Sequence, residues 1–155
     1  MMDNIDTIIS QTYQQLEECE KRAYDLDKKV REWNRNMYDL ISEIHTMIQM
    51  KTIKHFDVSY SLHDLNIFSE DVRKIYWNIE EYKAEINHLE KLIEGYRKNI
   101  KKIKHQFEEC RTKGDVKTLN EIANKVEHMH VLINKYEKKF ETTKQQILKI
   151  LETLA

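Results

Sequence analysis

The residues best suited to chemistry are histidines and carboxylates at short spacing, so a metal site is the first expectation to weigh. Glu127, His128 and His130 offer three potential ligands within one stretch, and Glu85 with His88 has the Glu-x-x-His spacing found in carboxylate-bridged helical bundles. Neither arrangement carries a site far. Residues two apart on a helix point to different faces, so His128 and His130 cannot readily share one ion, and the pair reads as solvated surface. A bridged metal centre needs a second Glu-x-x-His element and inward-facing acids, whereas His88 falls at an outer position. The chain also lacks a glycine-rich phosphate loop, a nucleophile elbow, a Cys-x-x-Cys pair and a zinc-protease helix. The sequence therefore predicts no catalytic, metal or cofactor residues and no cofactor, and the enzyme class is set aside.

Two other groups remain as candidates. Arg97, Lys98, Lys101, Lys102 and Lys104 form a basic run that could make an electrostatic contact with an acidic protein or with phosphate. Phe56, Tyr60, Phe68 and Trp77 are large aromatics near one presumed end, and such side chains supply binding energy when a partner covers them. Folding of the loop back over that end is the competing reading for the aromatics. A solvated helix terminus is the competing reading for the basic run.

The elements that must position these residues follow from composition and period. The 155 residues include no proline and two glycines, so little interrupts a helical backbone. Apolar residues make up 40% and charged residues 34%, a balance that suits narrow apolar seams between helices with wide wet faces. With 26 basic and 27 acidic residues the net charge is -1, which gives no long-range field to recruit nucleic acid or anionic lipid. Membrane contact is thus without support. Cys19 and Cys110 have neither the number nor the spacing of a disulfide framework, no apolar run is long enough to cross a bilayer, and the polar start has no signal-peptide core. The expected location is cytoplasmic or otherwise intracellular.

Three apolar seams share one period. The first runs through Ile5, Ile9, Thr12, Leu16, Cys19, Ala23, Leu26, Val30, Trp33, Met37, Leu40, Ile44 and Met47 at alternating steps of four and three, over about six heptads. The second runs from Val72 through Ile79, Ile86, Ile93 and Ile100 to Cys110, and the third from Leu119 through Val126, Ile133, Phe140 and Ile147 to Leu154. A 3.5-residue period keeps a stripe on its neighbour only if the helices supercoil to the left. The pattern lapses between His55 and Phe68, which reads as a structured connection, with a short turn of helix after Ser61 as one option; Ser69 followed by Glu70 and Asp71 reads as the next helix start. Lys113 and Gly114 end that helix, and Asp115 or Thr118 caps the third.

These signals predict an all-α, elongated, antiparallel three-helix bundle with left-handed coiled-coil packing, formed as a single domain over 1–155 with helices at about 3–54, 69–111 and 115–154. Folding the chain at its two turns places Cys19 opposite Lys104, Cys110 opposite Tyr13, and Trp33 beside Leu89 or Ile93 and Ile133 or Tyr136. Both thiols are then expected to be free and partly buried.

The stretch from Val72 to Leu154 resembles helix B, the short turn and helix C of a spectrin-type repeat. The likeness lies in the polar heptads from Glu81 to Glu94, the turn Thr112-Lys-Gly-Asp115, and the seam from Leu119 to Phe140; Trp33 resembles the family's buried helix A tryptophan. The family's helix C tryptophan position holds Ile133 here, and the first connection is longer than the family's. The resemblance implies a cytoskeletal or adaptor rod that spaces domains and docks proteins. From the residues themselves, the expected function is a structural or adaptor module that mediates protein–protein interaction through its helical surface. The alternatives are a helical partner or chaperone of a secretion system, or a membrane-associated bundle. Another protein is the expected partner. Pairing with a second copy stays open, because coiled-coil seams can also be satisfied between chains.

Overall fold

The computed structural model describes the backbone of residues 2–56 and 62–154 and the side chains of residues 5–50 and 70–154. It consists of three helices, α1 (Met2–Phe56), α2 (Leu62–Lys113) and α3 (Val116–Leu154), with no strand among the described residues. The all-α three-helix bundle expected from the seams is what forms.

Helix α2 begins at Leu62, a full two turns before the Ser69 start that the cap signal suggested. Nothing between these residues breaks a helix, because the stretch holds neither glycine nor proline, so Ser69, Glu70 and Asp71 lie inside α2. The second reversal is as tight as expected. Gly114 takes φ 68°, a left-handed conformation that suits glycine, and its N–H donates to the carbonyl of Cys110 at 2.9 Å. Asp115 then caps α3: its carboxylate accepts from the Thr118 N–H at 3.3 Å and from the Thr118 hydroxyl at 2.6 Å. Those bonds hold its carboxyl below the ordinary aspartate range, the Thr118 hydroxyl contributing most. Asp115 rather than Thr118 is therefore the cap.

The chain packs as two compact units, each taking a segment from all three helices: Met1–Val30 with Leu89–Lys139, and Arg31–His88 with Phe140–Ala155. In the first unit Leu16, Cys19, Ala23, Leu26 and Val30 of α1 are buried with Ile93, Tyr96, Ile100 and Phe107 of α2 and Leu119, Ile122, Val126 and Ile133 of α3. In the second, Met37, Ile44 and Ile48 are buried with Ile79, Ile86, Phe140, Ile147 and Leu154. Each seam residue named above is buried or half-buried. Full burial of a Leu, Ile or Phe is worth about 1.5–3 kcal/mol, so the repeated seam offsets much of the cost of ordering helices with so few other contacts.

Pair contacts fix the chain directions inside the first unit. Tyr13 meets Phe107, Glu20 meets Lys104 and Asp27 meets Arg97, so α1 and α2 run antiparallel. Cys19 faces His130 and Arg22 faces Glu137, so α1 and α3 run parallel. The expected register of α1 on α2 agrees with Lys104 beside Glu17 and Glu20, the neighbours of Cys19. The expected register on α3 needs correction: in the second unit Trp33 packs edge-on against Phe140 at 6.3 Å between ring centroids, past the Ile133 or Tyr136 anticipated. Two reversals had to be counted to reach α3, so an error in either accumulates.

Candidate functional site

Trp77 is the sequence candidate with the clearest placement. It sits on the outer face of α2 in the second unit and is 78% exposed. Its neighbour Tyr76 is tied down, with its ring 4.7 Å from that of His45 and its hydroxyl 2.8 Å from His45 Nδ1. Tyr76 also packs on the core of Ile44, Ile48, Ile79 and Leu154. With Tyr76 and Ile79 turned inward, a helix must turn Trp77 outward. The side chains of Phe56, Tyr60 and Phe68 lie outside the described residues. Tyr38, 80% exposed, and Met50 add apolar surface to α1 in the same unit. Their outer heptad positions were readable from the seam, which passes through Met37 and Met47 instead.

The basic run divides into two kinds of residue. Arg97 and Lys104 are turned into the first unit. Arg97 donates to the buried Asp27 carboxylate at 2.8 Å and lies 5.5 Å from the centre of the Tyr24 ring. Lys104 sits between Glu17 at 2.7 Å and Glu20 at 3.2 Å, and its hydrogen bond to Glu17 holds its ammonium above the ordinary lysine range. Lys98, Lys101 and Lys102 stay exposed, with Lys98 3.7 Å from Glu94 one turn away. As a single electrostatic site the run therefore does not hold together: two of its five cations bind α1. Sequence spacing placed all five on the last half of α2 but could not show that Arg97 and Lys104, seven apart, share the side facing α1.

His130 also departs from the surface reading. His128 is exposed, whereas His130 is half-buried against α1, with Nδ1 4.0 Å from Cys19 Sγ and 3.5 Å from the Arg22 guanidinium. Arg22 reaches on to Asn134 and Glu137, and lies 3.8 Å from Glu18. Tyr96 from α2 completes this polar inlay, donating its hydroxyl to the Met129 carbonyl at 2.8 Å. A cysteine beside a histidine raises the question of a nucleophile, and burial answers it. Cys19 has no exposed surface, and desolvation pushes its thiol above the ordinary range, more than the Tyr96 hydroxyl and the Arg22 charge pull it down. The thiolate, which is the reactive form, is thereby disfavoured. Burial raises the Tyr96 and Tyr136 hydroxyls as well. The inlay ties three helices together through satisfied polar contacts, and among the described residues no buried side-chain nitrogen or oxygen lacks a partner.

Both cysteines are free, Cys19 buried and Cys110 half-buried. His88 is exposed and Glu85 accepts from the Thr143 hydroxyl at 3.2 Å. Among the described residues no group of three or more His, Cys, Asp or Glu stands together to hold a metal ion, and no helix is long and apolar enough to cross a membrane. The chain matches no family model, and neither a curated protein nor a solved structure matches it significantly.

Proposed function

We propose that this chain is a non-enzymatic structural or adaptor module that binds another protein through its helical surface. The observation that supports this reading is Trp77: an indole 78% exposed to water on a helix whose own seam is buried. An exposed tryptophan makes little of its apolar area until a partner covers it, and tryptophans are enriched among the residues that dominate binding energy. The rest of the proposal is passive mechanics. Seam packing fixes the helices, Tyr76 and His45 fix the local face of α2, and that face presents the indole. Such a role is the one the spectrin-type resemblance implies, in which a helical module spaces and docks other proteins.

The test is affinity capture of a partner by the full chain and by Trp77→Ala, with the captured protein identified and its affinity then measured using purified components. Removal of an aromatic at the centre of an interface costs about 2 kcal/mol or more, so the purified partner should bind at least about thirtyfold more weakly. Circular dichroism of the variant should match that of the parent, since Trp77 belongs to no seam. Unchanged affinity for Trp77→Ala would remove the indole from the proposal.

A further inference from the structure

We infer that the groove between α2 and α3 in the first unit docks an acidic amphipathic segment of a partner protein; the inference rests on the reading of the chain as a protein-binding module. The groove has a volume of about 560 Å3, and its walls carry Lys102, Lys125 and His128 with the carboxamides of Asn99, Gln106 and Asn124. No carboxylate lines it. In a chain with as many acids as bases, that segregation is local charge patterning. Acids stand one turn beyond the lining: Glu109 on α2, 3.2 Å from His105, and exposed Glu121 on α3, four residues before Lys125. Among the described residues Lys102 and Lys125 enter no ion pair, in contrast to Arg97 and Lys104 on the other side of α2. The carboxamides add donors suited to carboxylate oxygens.

At its base lie Ile103 and Met129, both largely buried in the core, so the apolar surface left to a partner lies further along the same two helices. The direction of the groove also favours an extended occupant over a small anion. Leu92, Gly95, Asn99, Lys102 and Gln106 succeed one another at steps of three and four along α2, and Leu132, His128 and Lys125 do so along α3. Leu92 is 36% exposed and Leu132 half-buried, so apolar surface continues beyond the cations. Gly95 adds an opening on the same stripe of α2. It lies inside α2 without a positive φ, and a Cβ added there would meet nothing within 4 Å. Neither conformation nor packing within the chain requires glycine at this point, where it weakens the helix. Lying one turn before Asn99, it extends that stripe past the groove as bare backbone that a partner can approach closely. A helix with leucines against Leu92 and Leu132 and glutamates toward Lys102 and Lys125 satisfies each of these features.

The probe is a fluorescein-labelled amphipathic peptide with leucine at helical three-and-four spacing and glutamate elsewhere, followed by anisotropy against the full chain. A matched peptide with lysine for glutamate, a single-stranded oligonucleotide and phosphatidylserine vesicles are run beside it. The glutamate peptide should bind best, weaken with added salt, and lose at least about tenfold in affinity on combined Lys102→Glu and Lys125→Glu. Gly95→Gln should weaken binding by a similar factor without loss of helix content, which separates a blocked groove from a failed fold. Equal binding of the lysine peptide, indifference to both sets of substitutions, or preference for the oligonucleotide or the vesicles would overturn the inference. If the peptide fails while Trp77→Ala still weakens the partner, the groove assignment falls and the module reading stands. Peptide binding that persists when Trp77 proves irrelevant leaves the groove assignment standing alone.

Discussion

Tyr96→Phe is the substitution whose cost the geometry defines most closely. The ring is buried, meets Tyr136 edge-on at 6.1 Å, and its hydroxyl donates to the Met129 carbonyl at 2.8 Å. Phenylalanine keeps the ring and all of its packing. The Met129 carbonyl lies inside α3 and accepts the ordinary helical bond from Ile133, so loss of the hydroxyl leaves no orphaned acceptor. The cost is then that of one net hydrogen bond, about 1 kcal/mol. Tyr96→Ala removes the ring too and should cost about 3–5 kcal/mol. Urea unfolding followed by far-UV circular dichroism reads both values, and the denaturant dependence of the parent and Tyr96→Phe should be equal. If Tyr96→Phe costs nothing, the hydroxyl is not buried in the bond described; if it costs as much as Tyr96→Ala, the layer depends on the polar inlay rather than on packing.

Other outcomes follow from the same contacts. Cys110 should react with DTNB in the native protein at least about tenfold faster than Cys19, whose thiol is buried and raised by desolvation, and unfolding should equalise the two. Gly95→Ala should raise stability in urea by about 0.5–1 kcal/mol, because the new methyl meets open space and relieves the helix of a glycine. Lys104→Met should lose about 0.5–1 kcal/mol at neutral pH and less in high salt. Because the Lys104 pKa is raised on folding, its contribution is fully present below the ordinary lysine value of about 10.4 and fades as pH rises through the higher folded value. Asp115 has the opposite sign: its lowered pKa stabilises above the ordinary aspartate value and is lost as pH falls through the folded value, so Asp115→Ala should flatten the acid limb of a melting-temperature profile.

The fold was legible because a strict heptad leaves few other ways to hide its apolar stripe. From Ile5 to Leu154 the named seam positions are those that the packing covers, and Gly114 and Asp115 mark the turn where left-handed backbone and a capping carboxylate belong. The start of α2 was not legible, since Ser69-Glu70-Asp71 is locally a good cap but the preceding residues contain nothing that stops a helix. The polar layer was hidden for a different reason. In a three-helix bundle each helix faces two partners, so positions flanking the seam, such as Arg22, Asp27, Arg97, Lys104 and His130, become half-buried or buried. Their residue types look like surface, and only the pairing of helices shows which cation meets which anion. Trp77 was readable as an outer position, whereas the groove over Ile103 and Met129 needed two helices brought together.

The central claim is that the seam side of each helix is covered while the Trp77 face of α2 is left to solvent, and the two tryptophans report on the two sides directly. Acrylamide quenching of Trp77→Phe, which leaves the half-buried Trp33 packed on Phe140, should give blue-shifted, shielded emission. Trp33→Phe, which leaves Trp77, should give red-shifted emission quenched several-fold more efficiently. Equal quenching of the two indoles, or a shielded Trp77 beside an open Trp33 in the monomeric chain, would contradict the account.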